Sequence, residues 1–137
     1  MCLGFYLATD RRLDLIPWDQ GSPGFHIADL SAAEEAVRTQ VSHRFVYYVG
    51  SHTECGCGFV DDDGDAAKSR ATLTSYVHVL SEAAPVELFL CWDGGYRDAP
   101  QHSLQLSAQE LASKLPWLGD RAFDDENALV VISKPAA

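Results

Sequence analysis

Apolar and polar residues alternate first at Leu3, Phe5 and Leu7 against Gly4, Tyr6 and Ala8, a period of two that predicts a strand over about Cys2 to Thr9. Pro17 and the Gly21-Ser22-Pro23-Gly24 cluster break the pattern, and a short extended piece follows at Phe25 to Ala28. Ser31 and Glu34 have the spacing of a capping box, so a helix is expected from there to about Gln40. Phe45-Val46-Tyr47-Tyr48-Val49 is apolar on both faces, as a strand covered from two sides requires. Leu73, Tyr76, Val77 and Leu80 then recur at helical spacing, giving the longest helix, which must stop before Pro85.

Val86 to Trp92 reads as a further strand, ending in the turn Asp93-Gly94-Gly95, and Ser103 to Leu106 as a short one. A second capping box, Ser107 with Glu110, starts a helix that the pattern ends by Pro116, and a last strand covers Ala128 to Ser133. Together these elements predict one domain over 1–137, α+β (or α/β), with a mixed sheet of about four to six strands and about three helices. The unit Phe45 to Trp92 is strand, helix, strand, and a crossover of that length favours a parallel pair with right-handed connection.

That crossover matters because of what lies at its mouth. Val49-Gly50-Ser51-His52-Thr53-Glu54-Cys55-Gly56-Cys57-Gly58-Phe59 places two thiols and an imidazole within six positions, among glycines that allow close backbone approach. Loops at the carboxyl ends of parallel strands line a crevice where ligands collect, and Cys91 sits near the end of the proposed partner strand. The expectation is a zinc-type metal site formed by His52, Cys55, Cys57 and Cys91, with Cys2 as the other candidate fourth ligand and Asp93 or Glu54 as oxygen donors. Two zinc-bound sulfurs sit about 3.8 Å apart, and curling through Gly56 would bring a Cys-x-Cys pair to that distance. Two alternatives compete. Cys55 or Cys57 could be a reactive thiol activated by His52, in redox or nucleophilic chemistry, or the cysteines could be apolar fillers of a metal-free interaction module that binds through Tyr47, Tyr48 or the tryptophans.

Composition narrows the class. At 47% apolar and 22% charged the chain suits a folded domain with its own core. Twenty acids against ten bases give a formal net charge of −10, which repels phosphate backbones and anionic lipid and argues against nucleic-acid and membrane partners. The apolar run after Met1 meets Asp10 too soon for a signal peptide or a span, so the expected compartment is the cytoplasm, where four cysteines stay reduced. A protein partner or a second copy of the chain is left open, and no nucleotide or flavin motif occurs.

Other motifs carry less. Loss of Met1 would expose the Cys2 thiol as an amino-terminal nucleophile. Asp61, Asp63 and Asp65 mimic a calcium loop, but Ala66 and Thr72 stand where it needs Gly and Glu, so an acidic helix cap is expected instead. His43, His78 and His102 occur singly and read as surface or hydrogen-bonded histidines. Met1-Cys2 with Tyr6-Leu7-Ala8, the His52-x-x-Cys55-Gly56-Cys57-Gly58-Phe59 segment, and Glu87-Leu88 with Cys91-Trp92 together resemble a family of small uncharacterised bacterial proteins. That resemblance implies a bacterial cytosolic single domain and no particular reaction.

Overall fold

The computed structural model describes residues 3–19, 24–92 and 94–135. Its strands are β1 (Leu3–Thr9), β2 (Phe25–Ala28), β3 (Phe45–Ser51), β4 (Val86–Trp92), β5 (His102–Leu106) and β6 (Ala128–Ile132), and its α-helices are α1 (Gly64–Ala83) and α2 (Ala108–Phe123). Three short 3-10 segments, Ala33–Thr39, Gly56–Phe59 and Gly95–Arg97, complete the list of helical elements. The strands form one mixed sheet in the order β2-β3-β1-β4-β6-β5. The α+β class with six strands is as the pattern predicted.

β1 takes the central position because all seven of its residues are buried, and it pairs antiparallel with β3 on one side and β4 on the other. β3 and β4 therefore run the same way but are not neighbours, which corrects the expected parallel pair: β1 lies between them. The hydrogen-bonded parallel pair is instead β5 with β6, joined through α2. A strand buried on both faces competes best for the middle of a sheet, and spacing along the chain does not record that competition.

Side-chain alternation divides the strands between two faces. Leu3, Phe5, Leu7, Val49, Leu88, Leu90 and Val130 point to the front, where Leu73 and Val77 of α1 and Leu111, Leu115 and Leu118 of α2 close the main core. Tyr6, Ala8, Val46, Phe89 and Cys91 point to the back, where Val37 of the Ala33–Thr39 segment covers them in a smaller cluster.

The helix caps follow the sequence closely. Asp63 accepts the amide of Ala66 at 2.8 Å, so the acidic run caps α1. Ser107 and Glu110 close a reciprocal capping box at 3.2 and 3.0 Å. The Ser31 and Glu34 box also forms, yet the segment behind it is 3-10 rather than α. With one buried side chain, Val37, that segment has little apolar surface to reward a longer helix. α2 does not end at Pro116 but runs through it to Phe123. Pro116 is exposed on the outer side of the helix, while the buried stripe Leu111, Leu115, Leu118, Ala122 continues past it. No helix among the described residues is long and apolar enough to cross a membrane.

Candidate functional site

The glycine and cysteine loop is a tight knot against the end of β3. Ser51 is fully buried, and its hydroxyl donates to the Cys55 carbonyl at 2.6 Å and accepts the Thr53 amide at 3.2 Å. The turn takes Glu54 to a φ of 79°, a left-handed conformation held by the Glu54 amide on the Ser51 carbonyl and the Ser51 amide on the Cys55 carbonyl. Beyond it, the Gly56–Phe59 segment lies on the front of β1 with no room at Gly56: a Cβ there would stand 2.5 Å from Phe5 Cδ1 and 2.6 Å from the Leu3 carbonyl. A Cβ at Gly58 would stand 2.1 Å from Ser51 Oγ. These glycines are selected by close approach.

His52 is held from its δ nitrogen. The Ser69 hydroxyl donates to the Gly24 carbonyl at 2.8 Å, so its lone pairs accept the His52 amide at 3.3 Å and His52 Nδ1–H at 2.8 Å. With Nδ1 as the donor, the in-plane lone pair of a neutral imidazole lies on Nε2. Ser69 occupies a buried position on the inward stripe of α1 where an apolar residue would otherwise pack. Trp18 Nε1 donates to the His52 carbonyl at 3.1 Å, and Trp18, Asp19 and His52 share a small cavity of about 160 Å³.

The four residues expected to share a metal are not brought together. Cys57 Sγ accepts the Leu3 amide at 3.3 Å and packs on the front core, whereas Cys91 is buried in the back cluster beside Tyr6 and Phe89. The reason is strand parity: Leu90 belongs to the helix face, so its neighbour Cys91 projects to the other side of the sheet. Cys55 is half-buried near Thr53. Among the described residues no three His, Cys, Asp or Glu side chains stand where one ion could be shared. Cys2 and Asp93, the other candidates, lie outside the described residues, and Glu54 is exposed at the turn.

The lone histidines are paired. His43 Nδ1 meets the buried Glu87, His78 lies 3.4 Å from Glu82, and His102 lies 3.2 Å from Glu126. Glu87 also accepts the Ser42 amide at 2.8 Å, the Ser42 hydroxyl at 3.0 Å and the His43 amide at 3.1 Å. Burial alone would raise its pKa, but these bonds outweigh it and hold the carboxyl below its ordinary value. Tyr47 is no recognition surface either: it is buried, and its hydroxyl accepts the Leu13 amide at 2.8 Å.

Sequence reasoning missed a cavity of about 450 Å³ on the back of the sheet, lined by Tyr6, Tyr48, Tyr96, Asp29, Glu34 and Cys91 among others. Gly4 and Leu3 form its edge on β1, directly behind the cysteine loop. Tyr6 lies between two other rings, with centroids 5.8 Å from Tyr48 and 6.2 Å from Tyr96, both edge to face. Its hydroxyl donates to Glu34 Oε2 at 2.7 Å, and Glu34 Oε1 accepts the Ser31 amide at 2.8 Å. Burial, then the Glu34 hydrogen bond and charge, push the Tyr6 phenol far above its usual pKa, so it stays a donor. The one sequence signal for this wall was the Ser31 and Glu34 box, which read as a helix start. Comparison with protein-family models, with curated proteins and with solved structures gives no match to this chain.

Proposed function

We propose that the protein binds a small organic ligand in the back-face cavity, between the start of β1, the end of β4 and the Asp29 to Glu34 segment. The observation that carries this reading is the Tyr6 and Glu34 pair. A buried strand tyrosine and a carboxylate, hydrogen-bonded at 2.7 Å, form part of the wall of a cavity of about 450 Å³. That volume is in the range of ligand sites, about 300–1,000 Å³, and the mix of ring faces with a few convergent polar groups is their usual lining. The cavity exceeds the grooves of about 360 Å³ between α1 and α2 and about 160 Å³ beside His52.

In this reading the cysteine and glycine loop is scaffold. Gly56 seats it against Phe5 and Leu3, and the Leu3 amide is fixed on Cys57 Sγ, so the loop sets the rim of the cavity from the opposite face. A fragment screen followed through ¹⁵N–¹H correlation spectra tests the site. Hits should cluster at the amides of Gly4, Leu30, Cys91 and Tyr96; hits confined to the α1 and α2 groove or spread over the surface overturn it.

A second reading places metal at the loop, and the observation favouring it is the contact of His52 Nδ1 with Ser69. Ser69 holds Nδ1 and leaves Nε2 free to donate to a zinc-type ion, the arrangement that orients imidazole ligands. It requires Cys55 and Cys57 to turn toward Nε2, with water or an oxygen ligand in place of Cys91. Elemental analysis of protein purified without chelator or nickel decides it. One equivalent of zinc or iron, lost in His52→Ala and Cys57→Ala, supports the centre, whereas metal-free protein with freely titrating thiols removes it.

A further inference from the structure

We infer that the open edge of the sheet, strand β5, is where a second copy of this chain docks, the two β5 strands pairing antiparallel across a two-fold axis into one continuous sheet. The sheet ends in β2 on one side and β5 on the other. The β2 edge is engaged from outside by Ile16, whose amide donates to the Ile27 carbonyl at 3.0 Å and whose carbonyl accepts the Ile27 amide at 3.0 Å. Among the described residues no strand pairs with the outer side of β5. The His102 amide donates to the Asn127 carbonyl at 3.1 Å and the Leu106 carbonyl accepts the Ser133 amide at 3.0 Å, so His102, Leu104 and Leu106 turn their backbone groups toward β6. By alternation the amides and carbonyls of Ser103 and Gln105 point away from the sheet.

Edge strands normally carry a device against such pairing, a Lys, a Pro, a bulge or an inward charge. β5 reads His-Ser-Leu-Gln-Leu, with no Asp, Glu, Lys, Arg or Pro, and its register with β6 runs unbroken from His102 to Leu106. A chain of formal net charge −10 repels its own copies over most of its surface, and along this strand two copies meet without opposing like charges. The edge is also self-complementary. An axis at Leu104 sets Ser103 of each copy in a hydrogen-bonded pair with Gln105 of the other, Leu104 against Leu104, and His102 against Leu106. That register covers apolar surface the single chain leaves out: Leu104 and Leu106 are half-buried on the front, and the exposed Trp117 of α2 has its ring 5.3 Å from the His102 ring beside the seam. Charges around Trp117 are of both signs, Lys114 and Arg121 on its ring and Glu126 on His102, so no single-sign field holds the copies apart there. A two-fold contact of this kind occupies both β5 edges, so assembly stops at two copies.

A strand edge with one aromatic beside it is a small interface, so the pairing is read at protein concentrations from about 10 µM to about 1 mM. Sedimentation equilibrium of the full chain should show the weight-average mass rising toward twice that of one chain across this range. Hydrogen exchange at the two ends of the range should show the Ser103 and Gln105 amides gaining about fivefold protection at the higher concentration. Gln105→Pro removes an outward amide and leaves the β6 ladder its donors, and it should hold the mass at that of one chain. Should that variant fail to fold, exchange at Ser103 and Gln105 in the parent decides alone. Val79→Ser, at an exposed apolar side chain of the α1 and α2 groove, should leave association unchanged. A chain that stays single throughout the range overturns the inference. So do a doubling without protection at Ser103 and Gln105, a doubling lost in Val79→Ser, and growth past two copies.

Discussion

Replacing Gly56 with Ala tests the claim that the cysteine loop is shaped by contact rather than by a bound atom. The new Cβ would lie 2.5 Å from Phe5 Cδ1 and 2.6 Å from the Leu3 carbonyl oxygen. Both neighbours belong to β1, the central strand, and both residues are fully buried, so neither can swing aside. The backbone carbonyl is the harder obstacle, because it moves only with the strand. Overpacking of this kind costs about 2–3 kcal/mol. With an unfolding entropy of about 2.1 cal/mol/K per residue, 137 residues give about 0.29 kcal/mol/K, so Tm should fall by about 7–10 °C. Gly64→Ala is the control: Gly64 opens α1 with nothing within 4 Å of its added Cβ, and there the same substitution should raise Tm by about 1–3 °C through the unfolded chain. Differential scanning calorimetry of the two variants beside the parent reads both. A Gly56→Ala protein within about 2 °C of the parent would refute the packing argument and return the loop to a site chosen for chemistry.

The remaining expectations are quickly measured. Tyr6→Phe removes a donor from a charged acceptor and should lower the urea-extrapolated stability by about 1.5–3 kcal/mol, with an unchanged m value. Glu87 has a folded pKa below its ordinary 4.5, so its stabilisation is present above that pH and is lost as pH falls through the folded value. The stability gap between parent and Glu87→Gln should therefore be constant from pH 7 down to about 5 and shrink below it. His26 is buried, and desolvation holds its pKa below 6.5 against a smaller opposing pull from Glu54. Its unfolded form takes up the proton first, so stability should begin to drop as pH falls below about 6.5, and His26→Asn should flatten that limb of a pH-resolved denaturation series. A thiol reagent should reach half-buried Cys55 and Cys57 in the native protein but Cys91 only after guanidinium, so Cys91→Ser should remove one slow thiol and neither fast one.

Much of the fold was legible along the chain because local periodicity and capping are local physics. The alternation of Leu3, Phe5 and Leu7, the stripe Leu73, Val77, Leu80, and the Ser107 and Glu110 box each act over a few residues, and each appears where the pattern put it. The loop was legible as unusual, and its Gly50, Gly56 and Gly58 are closely approached by neighbours from β1, β2 and the loop itself. The sequence also carried the net charge of −10, which disfavours anions at the back cavity as elsewhere.

Pairing and facing were decided only in three dimensions. That β1 inserts between β3 and β4 depends on which strand buries most on both faces, a comparison among segments more than 80 residues apart in the chain. Strand parity on β4 sends Cys91 to the back of the sheet, while the Gly56–Phe59 segment lays Cys57 on the front. The same placement sets Tyr6 of β1, Tyr48 of β3, Glu34 and Tyr96 around one cavity. No spacing rule joins those four positions, because the contacts that gather them belong to the sheet and not to any stretch of chain.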